Sequence, residues 1–169
     1  MAEPRPTLDF SLPNVGPGPD PWSLSTVAAD HDFVVVYLQR DHLCTNCRKQ
    51  VQQVADRYAD FRDRGAEVVS VVPEPREKVE DWQDSYDLPY PLLADPDVAA
   101  GDLFDQPVRF GFLGSISDFL GRMPEVVVLD ARDGEPRVAW TYSGRSTFDR
   151  PDVDDVLAEL DGLREGATT

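Results

Sequence analysis

Residues 33–47 read Phe-Val-Val-Val-Tyr-Leu-Gln-Arg-Asp-His-Leu-Cys-Thr-Asn-Cys, and this stretch predicts the centre of the fold. It opens with an uninterrupted apolar run, Phe33–Leu38, that contains three valines. A run without polar alternation is typical of a strand buried on both faces of a sheet. A short polar segment then leads to Cys44 and Cys47, so the cysteine pair is predicted to follow the end of a core strand.

The apolar period changes at the cysteines. Steps of three and four residues separate the apolar positions Cys44, Cys47, Val51, Val54, Tyr58 and Phe61. This spacing predicts a helix from Cys44 to about Arg64 that stops at Gly65. We therefore expect Cys44 at or just before the first helical turn, and Cys47 within that turn, facing the sheet.

The rest of the chain alternates predicted strands and helices. In chain order they are strand Glu67–Val72, helix Pro75–Tyr86, strand Pro91–Ala94, helix Val98–Phe104, strand Val126–Leu129, strand Val138–Tyr142 and helix Asp152–Leu163. Helices between strands indicate parallel pairing, and the Asp133-Gly134 turn indicates an antiparallel hairpin. The sequence thus predicts an α/β fold, a three-layer α/β/α sandwich with a mixed central sheet.

The expected domain organisation is simple. Residues 1–24 are rich in proline and glycine and are predicted to form an arm with a short β-ribbon. Residues 25–165 are expected to form the α/β domain, and residues 166–169 a frayed tail. The segment Phe110–Leu120 is a loop or an extra helix whose role the sequence leaves open.

The charge of the chain limits its partners. The 32 acidic residues outnumber the 16 basic ones, for a net charge of −16, with 23 Asp against 9 Glu and 14 Arg against 2 Lys. Such a surface repels phosphate backbones, so nucleic acid is not an expected partner. The composition resembles that of proteins from salt-loving organisms. Neither a membrane span nor a secretory signal is visible, so a cytoplasmic protein is expected.

A C-x-x-C pair at the start of a helix after a buried strand is the thioredoxin-like redox arrangement. Two residues of separation allow the two sulfurs to reach disulfide distance without unwinding the helix. The unpaired N–H groups and the dipole at the helix start favour a thiolate. Arg48 and Arg40 add positive charge nearby, whereas Asp41 opposes it.

With these motifs in place, the chain resembles the peroxiredoxins, the AhpC/TSA-type redoxin branch of the thioredoxin superfamily. The resemblance begins at Asp9-Phe10-Ser11-Leu12-Pro13 and includes the core strand and the cysteine helix. It continues through Val71-Val72, Leu92–Asp95 and Val126–Asp130, and so covers nearly the whole chain in short motifs. It implies a thiol peroxidase on a thioredoxin-like fold.

The active-site loop of the peroxiredoxins reads Pro-x-x-x-Thr-x-x-Cys. When its final cysteine is placed on Cys47, the resemblance makes Cys47 the peroxidatic residue. Cys44 then stands where the family has Thr, and Arg40 where it has Pro. Gln50 falls where many members carry Glu.

The resemblance also concerns the residues before the later core strand. The family has a catalytic Arg there, but Arg122 lies two residues too early and Pro124 occupies the expected place. Thioredoxin-like proteins put a cis-proline facing the cysteines at this point, and Met123-Pro124-Glu125 fits that pattern. Arg48, Arg122 and Pro124 are therefore the candidate supporting residues. For Arg122, the sequence favours a surface ion pair over a role in stabilising a thiolate.

The cysteine pair also allows two interpretations without redox activity. Two buried thiols without reactivity would fit a thioredoxin-fold binding protein with vestigial cysteines. A zinc site would need further ligands, and only His31 and His42 are available as nitrogen donors. No metal and no cofactor are expected. His42 is interpreted as a solvated loop residue.

The sequence thus predicts a peroxiredoxin-like thiol oxidoreductase. In the peroxidase hypothesis, the Cys47 thiolate attacks a peroxide and Cys44 then forms a disulfide with it. In the exchange hypothesis, Cys44 attacks a protein disulfide first and Cys47 resolves the mixed species. The expected partners are a small-molecule peroxide or a protein disulfide, and an external dithiol reductant such as a thioredoxin-like protein. A homodimer is possible, but no interface is visible.

Overall fold

The computed structural model describes residues 8–39, 45–104, 125–143 and 151–166. The strands are β1 Ser11–Leu12, β2 Trp22–Ser23, β3 Phe33–Leu38, β4 Ala66–Val72, β5 Leu92–Ala94, β6 Glu125–Asp130 and β7 Arg137–Ser143. The helices are α1 Leu24–Ala29, α2 Thr45–Asp56, α3 Tyr58–Arg62, α4 Arg76–Tyr86, α5 Ala99–Leu103 and α6 Val153–Gly166.

The central sheet is mixed, as predicted. Its strand order is β5-β4-β3-β6-β7, with β3 in the middle. Strands β3, β4 and β5 are parallel, whereas β6 and β7 are antiparallel to their neighbours. Parallel strands need crossovers, which α2 and α3 supply between β3 and β4, and α4 supplies between β4 and β5. The unbroken burial of β3 and β4 follows from this position, because helices cover both faces.

The two faces of the sheet carry separate apolar clusters. We call the first the cysteine face, where side chains of α2, α3, α4 and α6 pack on the sheet. Its members include Tyr37, Cys47, Val51, Val54, Phe61, Trp82, Tyr90, Val126 and Val156. On the opposite face, α1, α5 and the N-terminal segment pack against alternate strand residues, among them Trp22, Val27, Val36, Val69 and Phe104. The predicted three layers are confirmed.

The N-terminal segment packs against the sheet. Strands β1 and β2 pair as a small antiparallel ribbon. Phe10 and Trp22 stack with ring centres 5.5 Å apart, on the face opposite Cys47. The side-chain oxygen of Asn14 accepts hydrogen bonds from the backbone N–H groups of Gly16 and Leu92, at 2.9 and 3.1 Å. Asn14 therefore ties this segment to the β5 edge.

The cysteine helix differs from the prediction. A single helix to about Arg64 is wrong, because α2 ends at Asp56 and α3 begins at Tyr58. Between them Arg57 has φ −113° and ψ 13°, and its N–H bonds the carbonyl of Val54, only three residues back. Its guanidinium binds Asp60 and Asp154 at 2.5 and 2.6 Å. The apolar stripe survives the break, since Phe61 remains buried.

The end of the N-terminal arm also differs from the prediction. Leu24 falls within the residues predicted as an arm with a β-ribbon, but it begins the two-turn helix α1, whose N-cap residue Ser23 makes no side-chain cap bond. The β6–β7 hairpin is confirmed. Its connection is residues 131–136, with Gly134 at φ +95°, and a bulge lies between Val128 and Leu129.

Candidate functional site

Cys47 lies at the junction between the central strand and the cysteine helix. Strand β3 ends at Leu38, α2 begins at Thr45, and Cys47 is in the first turn of α2. Its side chain is fully buried in the apolar cluster of the cysteine face. The predicted placement of Cys47, within the first turn and facing the sheet, is therefore confirmed.

The sulfur of Cys47 is disulfide-bonded in the structure, so the described state of this residue is the oxidised one. Cys44, the other cysteine of the chain, lies outside the described residues. The Cys44–Cys47 pairing therefore stays a prediction. In the oxidised state Cys47 carries no ionisable thiol, and only reduction would create a nucleophile there.

The opening turn of α2 suits an anion. It contains no acidic side chain, and the first N–H groups of a helix have no partners within the helix. Together with the helix dipole, these groups stabilise a thiolate at the helix start once the sulfur is reduced. Complete burial works in the other direction, because removal of water raises the free energy of an ionised sulfur. The balance depends on the donors that surround Cys47.

Arg48 follows Cys47 and links α2 to α4. Its guanidinium carbon lies 5.8 Å from the centre of the Trp82 ring, within the range of a cation–π contact. Trp82 is buried, whereas Arg48 is half-buried. The contact fixes Arg48 beside the opening turn. Its predicted support of a Cys47 thiolate remains a prediction.

Buried tyrosines lie beneath α2. The hydroxyl of Tyr90 donates to the carbonyl oxygen of Val51 at 3.2 Å and is 3.0 Å from the Ser70 hydroxyl. Tyr37 is also fully buried, but its hydroxyl has no hydrogen-bond partner. Burial raises the pKa of both phenols well above the ordinary value, and the neighbouring Tyr90 adds to the effect on Tyr37. Both groups are therefore neutral donors at physiological pH.

Polar side chains are buried at the carboxyl end of the central strand β3. Gln39 follows β3, and Glu125 pairs with Leu38 in the β3–β6 register. Gln50 is buried in α2, within one turn of Cys47. Gln39 and Glu125 were not identified from the sequence as buried polar residues next to the site. Each directly adjoins a continuous apolar run in the sequence, and this pattern could have indicated them.

Several predicted site residues fall outside the described residues. They are Arg40, Asp41, His42, Cys44, Arg122, Pro124 and the segment 110–120. Within the described ranges, no group of three or more His, Cys, Asp or Glu side chains is arranged to hold a metal ion. None of the helices described is both long and apolar enough to cross a membrane.

A family model matches most of this sequence. Residues 5–132 match the model of the AhpC/TSA family. The chain belongs to the AhpC/TSA family. Two curated Mycobacterium tuberculosis proteins, named "Putative peroxiredoxin Rv2521" and "Putative peroxiredoxin MT2597", are each 36% identical to it over 64 residues. That alignment covers 38% of this chain and 41% of each relative, so it spans about two fifths of their length.

Solved structures of similar shape support a thioredoxin-like fold for this AhpC/TSA-family chain. Peroxidoxin BcpB from Mycobacterium tuberculosis is 22% identical with a TM-score of 0.75, and the match covers 93% of this chain and 94% of that one. Peroxiredoxin Q from Xanthomonas campestris is 18% identical with a TM-score of 0.71 and 90% coverage of both chains. The reduced 2-Cys peroxiredoxin of Plasmodium vivax is 13% identical with a TM-score of 0.78 and 96% coverage of both.

Proposed function

We propose that the protein is a thiol-dependent peroxidase whose reacting atom is the Cys47 sulfur. One observation carries the proposal. In a chain of the AhpC/TSA family, a disulfide-bonded cysteine lies in the first turn of the helix that follows the central strand, and this turn contains no acidic side chain. This position favours a thiolate, which is the form that attacks peroxides.

The proposed cycle has three steps. The Cys47 thiolate attacks the hydroxyl oxygen of a hydroperoxide, the O–O bond breaks, and the sulfur becomes a sulfenic acid. The departing alkoxide or hydroxide takes a proton from solvent and leaves as an alcohol or as water. The Cys44 thiol then displaces the hydroxyl of the sulfenic acid as water, which forms an intramolecular disulfide. An external dithiol exchanges with that disulfide, becomes oxidised itself and returns both cysteines to thiols. Arg48, Arg122 and Pro124 are proposed to support the site.

The proposed partners follow from this chemistry. The substrate is a small peroxide, and the reductant is a dithiol protein of the thioredoxin type. The similar proteins from Mycobacterium tuberculosis, Xanthomonas campestris and Plasmodium vivax carry peroxiredoxin or peroxidoxin names, which supports the substrate class. A cytoplasmic location and a homodimer stay predictions.

One observation favours thiol–disulfide exchange as a second candidate. The side chain of Cys47 has no solvent exposure. A buried second cysteine suits a resolving role, in which Cys44 attacks the disulfide of another protein and Cys47 releases it. A peroxidase would have to admit peroxide to this sulfur after reduction.

Stopped-flow oxidation of two single-cysteine variants distinguishes the two functions. Reduced Cys44→Ser and Cys47→Ser proteins are mixed with hydrogen peroxide, and the loss of thiol is followed. The peroxidase proposal expects fast oxidation of Cys44→Ser and little reaction of Cys47→Ser. The exchange function expects the Cys47→Ser variant to keep its reactivity towards a disulfide and both variants to react slowly with peroxide.

Intact mass gives an independent result for the wild-type protein. When the reduced protein is treated with one equivalent of hydrogen peroxide, the proposed cycle expects a loss of two hydrogen masses, which corresponds to one intramolecular disulfide. Two unchanged thiols after this treatment would favour a binding protein with vestigial cysteines and would contradict both redox functions.

A further inference from the structure

The hydroxyl of Tyr37 is an unsatisfied donor in the middle of the cysteine face. Tyr37 lies on the central strand, paired with Ser70 of β4 and with Val126 of β6. Its side chain is fully buried, and its hydroxyl has no hydrogen-bond partner. Most buried polar atoms in folded proteins are paired, because an unpaired hydroxyl loses its hydration without compensation. An orphaned hydroxyl at this place therefore requires an explanation.

The neighbouring phenol shows that α2 passes over this part of the sheet. Tyr90 interacts electrostatically with Tyr37, and its own hydroxyl bonds the carbonyl oxygen of Val51. Val51 lies one helical turn after Cys47. Tyr37, Val51 and Cys47 all belong to the same buried cluster. The orphaned hydroxyl and the Cys47 sulfur thus belong to one buried apolar layer on the face of the sheet that α2 covers.

The oxidation state of Cys47 explains why the hydroxyl lacks a partner here. A sulfur in a disulfide is held by its second bond and is a weak acceptor. Reduction breaks the S–S bond, frees the Cys47 side chain to rotate, and produces a thiol or thiolate. A buried thiolate is a strong acceptor and is costly unless donors surround it.

We propose that the Tyr37 hydroxyl donates a hydrogen bond to the Cys47 sulfur in the reduced protein, and that this bond selectively stabilises the reduced form. The inference rests on the proposed redox function of Cys47 and adds a specific donor to it. Burial keeps the pKa of Tyr37 well above its ordinary value, so the phenol stays protonated and remains a donor. In the oxidised form the donor is unsatisfied, which destabilises the disulfide state relative to the dithiol.

The test is the redox equilibrium of Tyr37→Phe with glutathione. Two glutathione molecules reduce the protein disulfide, gain one disulfide between them, and leave two protein thiols. We expect Tyr37→Phe to lower the equilibrium constant for reduction about tenfold, which is roughly 30 mV towards a more negative potential for a two-electron couple. In the Cys44→Ser background, the thiolate absorbance of reduced Cys47 at neutral pH should fall as well. A shift of less than threefold overturns the proposal.

Tyr90→Phe is the matched control, because it removes a hydroxyl from a second buried phenol on the same face. The Tyr90 bond to Val51 does not depend on the oxidation of Cys47, so this variant should lower the melting temperature and change the equilibrium constant less than threefold. An equal shift in both variants overturns the proposal. Should Tyr37→Phe fail to fold, the tyrosine Raman doublet of the wild-type protein must change between oxidised and reduced samples, and an unchanged doublet overturns the proposal.

These measurements use no peroxide. A chain that fails to reduce peroxide but shows the Tyr37-dependent equilibrium would contradict the proposed function and leave this inference intact. A chain that reduces peroxide but whose redox equilibrium with glutathione does not depend on Tyr37 would support the proposed function and contradict this inference.

Discussion

The hydroxyl of Tyr90 donates a hydrogen bond to the carbonyl oxygen of Val51 at 3.2 Å, and so joins the segment before β5 to the middle of the cysteine helix. The Ser70 hydroxyl of β4 lies 3.0 Å from the same phenol oxygen. All three residues are buried. The body of α2 is therefore held to the sheet by a polar link as well as by apolar packing. Val51 lies one helical turn after Cys47, so the link holds the part of α2 next to the cysteine turn.

Tyr90→Phe should lower the free energy of unfolding by about 1–2 kcal/mol, because it leaves the Ser70 hydroxyl buried without its partner. Urea denaturation of the oxidised protein measures the change. Ser70→Ala removes the other partner, and the double variant should lose less than the sum of the two single changes. Additive losses would show that the two hydroxyls are not coupled.

Asn14→Ala should lower the free energy of unfolding by roughly 2–3 kcal/mol. The Asn14 side chain accepts from the N–H groups of Gly16 and Leu92 and donates to the carbonyls of Pro17 and Pro19, both at 3.0 Å. Its loss leaves several backbone groups without partners at the β5 edge. The measurement is equilibrium denaturation in urea.

Asp9→Ala is the control for Asn14 within the same segment. It removes an exposed hydrogen bond to the Ser25 N–H, so a loss below about 0.5 kcal/mol is expected. Equal losses in the two variants would mean that the Asn14 contacts do not stabilise the fold.

The sequence predicted the elements whose signals are local. The apolar run of β3 and the stripe that includes Cys47 and Val51 each specify their structure without reference to the rest of the chain. The break at Arg57 was missed because it accompanies ion pairs, one of them to Asp154 at 2.6 Å, that sequence spacing does not reveal. Helix α1 was missed because a two-turn helix without a side-chain cap leaves almost no periodic signal.

The same limit applies to the site. The position of Cys47 in the first turn followed from its spacing, whereas its complete burial depends on how α2 packs on the sheet. In the sequence alone, Tyr37 cannot be distinguished from the other apolar residues of the core strand. Only the packed structure shows that its hydroxyl lacks a partner on the face that holds Cys47.

Arg48→Gln should lower the free energy of unfolding by about 0.5–1 kcal/mol, through loss of the contact with the Trp82 ring. Arg48→Lys should keep part of this contribution. Thermal unfolding of the oxidised protein is the measurement. Lys49→Gln is the matched control, since Lys49 is the exposed neighbour on the same helix and should change stability by less than about 0.5 kcal/mol. Equal effects at both positions would exclude a specific role for the ring contact.

The ionisation of Asp130 makes the free energy of unfolding depend on pH. Hydrogen bonds from Arg132, whose closest nitrogen lies 2.6 Å from the carboxylate, hold the pKa of Asp130 below its ordinary value. A carboxyl with a lowered folded-state pKa stabilises the fold above its unfolded pKa of about 3.9, and this contribution disappears as the pH falls through the folded pKa.

Asp130→Asn should therefore flatten the loss of stability between about pH 5 and pH 2, relative to the wild-type protein. Urea denaturation at a series of pH values measures the slope. Asp81→Asn, which removes an exposed carboxyl of α4, is the control and should leave the slope close to that of the wild type. The same slope in Asp130→Asn and the wild type would contradict the role of the Arg132 pair.

The net charge of −16 should make stability rise with salt. Repulsion among exposed carboxylates acts over about 10 Å at 0.1 M salt but only about 3 Å at 1 M, so salt relieves it in the compact state. We expect the melting temperature to increase from 0.1 to 1 M NaCl. A variant with Asp63, Asp84 and Asp97 changed to Asn removes three exposed charges and should show a weaker increase. A melting temperature that falls or stays constant in both proteins would show that the acidity is not an adaptation to salt, and an acidic surface for binding a partner would then be the better explanation.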